Sequence, residues 1–184
     1  MKKYIAAAGI ILVFCILAGV IIWKAFLPGY KMPAIAFAYH GSYGYIYLFA
    51  SSGDIYRIDP ADYGESPYAR HAQAMTALEN GRTEEWLKPY GKVSVTELKK
   101  QYRAFRKITD NPDFIVFPTE EAIPDVIPNG SYMKPSEMWY GYTENHEMRT
   151  MFLKGYLGYK ASDERIGKVV SWICEMTRTV RKDT

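Results

Sequence analysis

Thiols are almost missing from this chain. Of its 184 residues only Cys15 and Cys174 are cysteines, and Cys15 lies inside an apolar run, so no disulfide can staple the remainder and packing must hold it. Catalytic signatures are missing too. There is no Gly-x-Ser-x-Gly elbow, no phosphate-binding loop and no dinucleotide fingerprint. The three histidines, His40, His71 and His146, show no metal-ligand spacing, and His146-Glu147 lacks the second histidine of a zinc protease helix. Surface or cap positions are expected for all three. Glu84-Glu85 and Glu120-Glu121 are neighbours that point to different faces, so neither pair alone can flank a glycosidic bond. The sequence therefore names no catalytic residue, no metal ligand and no cofactor.

Net charge is also missing from most of the chain. Lys2, Lys3 and Lys24 belong to the N-terminal apolar segment and its flanks, which hold no acid, leaving 20 basic and 20 acidic side chains beyond it. A neutral domain offers no electrostatic footprint for nucleic acid. Its densest basic cluster, Lys99, Lys100, Arg103, Arg106 and Lys107, reads as the solvated face of an amphipathic helix.

What is present begins at the N-terminus. Tyr4 to Phe26 carries no charge before Lys24, and at ~1.5 Å of rise per residue it spans the ~30 Å hydrocarbon core of a bilayer as one helix. Lys2 and Lys3 precede it, and Tyr4 and Trp23 sit where amphipathic rings prefer the headgroup level. The apolar run is longer than the roughly 7 to 15 residues of a signal-peptide core, and no close small-x-small cleavage triplet follows. Cys15 resembles a lipidation site only through Leu12, because Phe14 stands where a small residue is needed. Residues 1–27 are thus expected to be an uncleaved signal-anchor, with the N-terminus in the cytoplasm and the rest of the chain outside the cell membrane. Residues 28–33, with Pro28 and Pro33, form a short stiff connector.

Residues 34–178 read as one α+β domain, and 179–184 as a frayed tail. Ile35, Phe37 and Tyr39 alternate with alanines, Tyr45 to Ala50 is apolar on both faces, and Ile55 to Ile58 follows. The turns Gly41-Ser42-Tyr43-Gly44 and Ser51-Ser52-Gly53-Asp54 make this an antiparallel meander. A modest helix is expected over 68–80 and a short turn over 83–86, ended by Pro89. A clearer helix begins at Ser94 with Glu97 completing a capping box; Val95, Leu98, Tyr102 and Phe105 form its apolar stripe. A short strand at 114–117 leads into a loop punctuated by Pro118, Pro124, Pro128 and Pro135. Met138 to Thr143 and Met148 to Tyr156 form a second hairpin. A last helix carries Ile166, Val169, Val170, Ile173 and Met176 or Thr177 on one face. The expected architecture is a largely antiparallel sheet packed by two amphipathic helices.

The one real excess is tyrosine, present sixteen times. Tyrosine gives large rigid contact area with a polar tip, which suits recognition. The candidate partner-binding residues are Tyr43, Tyr45, Tyr132, Trp139 and Tyr142. The expected function is a non-enzymatic binding protein tethered to the membrane and meeting a protein partner there, in toxin protection or as an accessory of an envelope complex. The alternative is an envelope hydrolase assembled from His40, His146 and acids of the proline-punctuated loop.

Overall fold

The computed structural model describes residues 29–64, 66–118, 137–154 and 159–180. The segment 4–26 with its anchor residues Tyr4, Trp23 and Lys24, the thiol Cys15, the tail beyond 180, and Tyr132 with its loop lie outside the described residues. Among those described, no helix is long and apolar enough to cross a membrane. The chain divides between Lys31 and Met32, and every element below belongs to the second unit.

That unit is an α+β domain. Six antiparallel strands form its main sheet: β1 (Ile35–His40), β2 (Ile46–Ala50), β3 (Asp54–Ile58), β4 (Lys88–Lys92), β6 (Glu137–Tyr142) and β7 (Met148–Lys154), in the order β4-β3-β2-β1-β6-β7. A second, two-stranded sheet pairs β5 (Val116–Pro118) with β8 (Tyr159–Ala161). The helices are α1 (Pro67–Glu79), α2 (Val95–Thr109) and α3 (Ile166–Val180). The expected meander is β1-β2-β3, and β2 lies inside the sheet with both faces covered, as its doubly apolar pattern requires.

Three helices cover the sheet rather than two. On one face Ala74 and Met75 of α1 pack against Ile46, Leu48 and Ile58. On the other, Phe37 meets Tyr102 and Phe105 of α2 and Trp172 of α3, with ring centroids 5.6 to 6.3 Å apart. A bulge between Ile35 and Phe37 lets both large side chains of β1 be buried, each in a different layer. Helix α1 matches the modest helix expected over 68–80, but its buried residues His71, Ala74, Met75 and Ala77 leave a weak apolar stripe that hid its packing on the sheet.

Other local expectations change for identifiable reasons. The stretch 88–92 is an edge strand, not the end of a turn. Pro89 is tolerated at an edge, and Lys88 and Lys92 at its ends discourage further pairing. Ser94 is the N-cap of α2, but its side chain makes no capping bond, and Val95 is exposed. Glu97 accepts from Gln101 Nε2 at 2.7 Å and from Lys100 instead. Arg106 is not on a solvated face. It is buried, paired with Asp110 at 3.1 Å and with Glu144, and it ties the end of α2 to the β6–β7 turn.

Gly53 closes the β2–β3 turn at φ +90, and an added Cβ would stand 2.6 Å from the Val93 carbonyl oxygen. Gly81 follows α1 at φ +66 with nothing within 4 Å. Gly81→Ala should therefore cost only the left-handed backbone penalty, about 1 kcal/mol. Gly53→Ala adds a clash with backbone and should cost about 3 kcal/mol. Denaturant midpoints of the two variants check the difference; equal losses would mean that the Val93 carbonyl gives way freely.

Candidate functional site

One row of side chains crosses five strands at the same level. Register places Arg57, Tyr47, Tyr39, Trp139 and Phe152 side by side on β3, β2, β1, β6 and β7. Cross-strand neighbours stand within van der Waals reach, and three of these rings stack. Tyr39 lies 5.8 Å from Tyr47 at 17° and 5.0 Å from Trp139 at 16°. Phe152 closes the row edge-on to Trp139 at 5.7 Å.

Tyr43 and Tyr45 from the β1–β2 turn, Tyr90 from β4, and Cys174, Thr177 and Arg178 from α3 extend this row into a groove of about 220 Å³. Each wall is fixed by a specific contact. Tyr90 donates its hydroxyl to the Thr177 carbonyl at 3.1 Å, and the Arg57 guanidinium sits 5.1 Å from the Tyr45 ring. The Tyr39 hydroxyl donates to Glu137 Oε1 at 2.6 Å. Burial and then this carboxylate hold that hydroxyl well above the usual tyrosine range. Burial likewise raises the Cys174 thiol, an effect that the Trp139 indole N–H opposes without offsetting. That indole nitrogen is buried without a full hydrogen-bond partner. A raised thiol is a poor nucleophile. The groove offers flat aromatic faces, one carboxylate and one guanidinium, which is equipment for binding.

The candidate residues separate on this geometry. Tyr43 is 84% exposed and lines the groove with Tyr45. Trp139, 3% exposed, is a supporting wall behind Tyr39 rather than a contact surface. Tyr142 is 4% exposed and belongs to the opposite face of the sheet. Alternation along β6 separates it from Trp139 by an odd number of positions, so the two cannot share a face. Tyr39, Tyr47, Tyr90 and Arg178 were missed as groove residues; the period-2 pattern already aligned Tyr39 with Tyr47, but Tyr90 and Arg178 arrive only through tertiary packing.

The opposite face holds what the sequence did not show. His40, 7% exposed, and His71, 2% exposed, are core residues rather than surface or cap histidines, and their Nε2 atoms lie 2.9 Å apart. His71 Nδ1 is hydrogen-bonded to the Tyr142 hydroxyl. Burial pushes His40 down to about 4, and burial together with the neighbouring His40 pushes His71 down to about 3. Both imidazoles are therefore neutral at pH 7. A cavity of about 250 Å³ opens beside His71, lined also by Tyr68, Met75, His146 and Met148. His146 sits at φ 62 in the β6–β7 turn and pairs with Glu79 of α1 at 2.7 Å. Among the described residues no group of three or more His, Cys, Asp or Glu is placed to hold a metal ion.

Fold and groove together define a class: a small α+β domain with a doubly covered antiparallel sheet, an aromatic groove at one end and a buried histidine pair behind it. No protein family matches the chain, and neither does any curated protein or solved structure.

Proposed function

We propose that this chain is a single-pass membrane protein anchored by residues 4–26, whose 34–178 domain stands outside the cytoplasmic membrane and binds a protein partner without catalysing a reaction. The observation that carries the reading is the tyrosine groove, whose outermost ring, Tyr43, faces solvent above a stacked and rigid aromatic row. Rigid aromatics lose little entropy on binding and recur at interface hot spots. The neutral domain and the short proline connector agree with a role at the membrane surface, as an immunity-type protein or an accessory of an envelope complex.

A photoreactive residue placed at position 43 in intact cells should give one discrete protein adduct, lost when Tyr45→Ala is added. The same probe at Lys99, on the exposed side of α2, should give none. Truncating a groove tyrosine should weaken capture about tenfold or more. Adducts of equal yield from both positions would sink the reading. Protease shaving of spheroplasts bearing a C-terminal tag tests the topology separately: loss of the tag places the domain outside. An envelope hydrolase is the competing reading, supported by the cavity that His71 and His146 share. Hydrolysis by the purified chain that His146→Gln abolishes would put it first.

A further inference from the structure

We propose that His40 and His71, with the thioether of Met138, form a binding site for one soft monovalent cation of the Cu(I) or Ag(I) class. Two imidazole nitrogens already converge there: the Nε2 atoms face each other at 2.9 Å, so a single hydrogen lies between them at neutral pH. The His71 ring is oriented from behind by the Tyr142 hydroxyl on Nδ1, the arrangement that fixes the tautomer of metal-binding histidines and leaves Nε2 for the metal.

Methionine sulfur lies in the same layer as the pair. Met138 sits directly across from His40 in the β1–β6 register. Its Sδ accepts from Tyr140 at 2.9 Å, and both the Tyr68 and Tyr140 rings lie within 6 Å of the His40 ring. Met75 reaches the same layer from α1, where its Sδ accepts the Ile35 N–H at 3.2 Å. Met148, partly exposed, lines the mouth of the cavity that opens on His71, so a thioether also stands on the way in.

The ligand chemistry selects the ion. Imidazole and thioether are soft neutral donors, which favour Cu(I) over oxygen-seeking cations. A neutral donor set leaves one uncompensated buried charge for a monovalent ion and two for a divalent one, and buried charge is costly. Two metal–nitrogen bonds of ~2.0 Å require the nitrogens to part to about 4 Å, a movement of about 1 Å beside a cavity that can take it. No net proton is released. The hydrogen between the two Nε2 atoms leaves, His40 becomes the Nδ1–H tautomer, and His71 keeps its Nδ1–H toward Tyr142.

The test is an anaerobic Cu(I) titration of the full-length chain in detergent micelles against the chromophoric chelator bathocuproine disulfonate. The chain carries Cys15→Ser and Cys174→Ser so that thiols do not compete. One Cu(I) per chain is expected. His40→Gln or His71→Gln should weaken binding by more than about 100-fold, and Met138→Leu about tenfold. In case the histidine variants unfold, ¹⁵N-imidazole spectra of the unsubstituted histidines are recorded with and without Ag(I). The Nε2 signals of His40 and His71 should move together while that of His146 stays. Absence of 1:1 binding, survival of binding in a folded His71→Gln chain, a shift at His146 instead of the pair, or tighter retention of Zn(II) than of Cu(I) would each overturn the proposal.

Discussion

Taking the full-length chain from pH 7 to pH 4 is expected to remove roughly 5 kcal/mol of the domain's stability, the integrated effect of two histidine shifts at about 1.4 kcal/mol per pH unit each. Unfolded histidine titrates near 6.5, whereas His40 and His71 in the fold are held down to about 4 and about 3. Below about 6.5 the unfolded chain therefore binds more protons than the folded one, and stability falls as pH falls. The loss begins as pH drops through 6.5 and continues down to the folded values. It proceeds in two steps, because the charge of a first added proton can be shared across the Nε2–H···Nε2 bond while a second sets two cations 2.9 Å apart. The rings facing the pair do not relieve this. Tyr140 and Tyr142 have hydroxyls pushed up by burial and supply no counter-charge.

Asp54 and Asp59, held below the usual carboxylate range, lose stability in the same direction but only under more acid conditions. Urea denaturation followed by tryptophan fluorescence at pH 7, 5.5 and 4.5 measures the slope. The His40→Gln His71→Gln chain, if folded, should show a much flatter profile between 6.5 and 4. A wild-type midpoint that does not move over that range would show that the two rings are not neutral core residues.

These two histidines mark where the sequence stopped being readable. Helices α2 and α3 announce themselves, since Leu98, Tyr102 and Phe105, or Ile166, Val169 and Ile173, recur at helical spacing and all are buried. The meander was equally legible from alternation and from Gly44 and Gly53, both at positive φ. The buried side of α1, a helix expected over 68–80, was not, because Ala74 and Ala77 bury little apolar area and leave no stripe to betray that His71 shares their side. Nor was the pairing of β1 with β6, whose partners Tyr39 and Trp139 lie a hundred residues apart; no local signal encodes a contact of that range. The groove was half legible for the same reason. Tyr43 and Tyr45 follow from the turn, while Tyr90 and Arg178 reach it only once β4 and α3 have docked.

Gly141 is where β6 meets α2, and Gly141→Ala is expected to destabilise the domain by about 3 kcal/mol. Gly141 lies opposite Phe37 in the β1–β6 register, and its missing side chain is the space that the Phe105 ring occupies. An alanine Cβ would stand 2.3 Å from Phe105 Cζ. The ring cannot retreat: it is fully buried, edge-on to Phe37 at 5.6 Å and tilted against Tyr102 at 5.8 Å.

Distance alone does not set the cost. At Gly91 an added Cβ would come even closer, 1.9 Å from Val180 Cγ1. Val180 is the last residue of α3 and only half buried, so it can swing aside, and Gly91→Ala should cost about 1 kcal/mol or less. The decisive measurement is a double-mutant cycle. Phe105→Ala alone should cost about 4 kcal/mol through its cavity. In that background Gly141→Ala has room, so its own cost should drop to about 1 kcal/mol or vanish, a coupling of about 2 kcal/mol or more. Equal costs of Gly141→Ala in both backgrounds would mean that the ring of Phe105 does not rest on β6, and the packing of α2 on this face of the sheet would have to be redrawn.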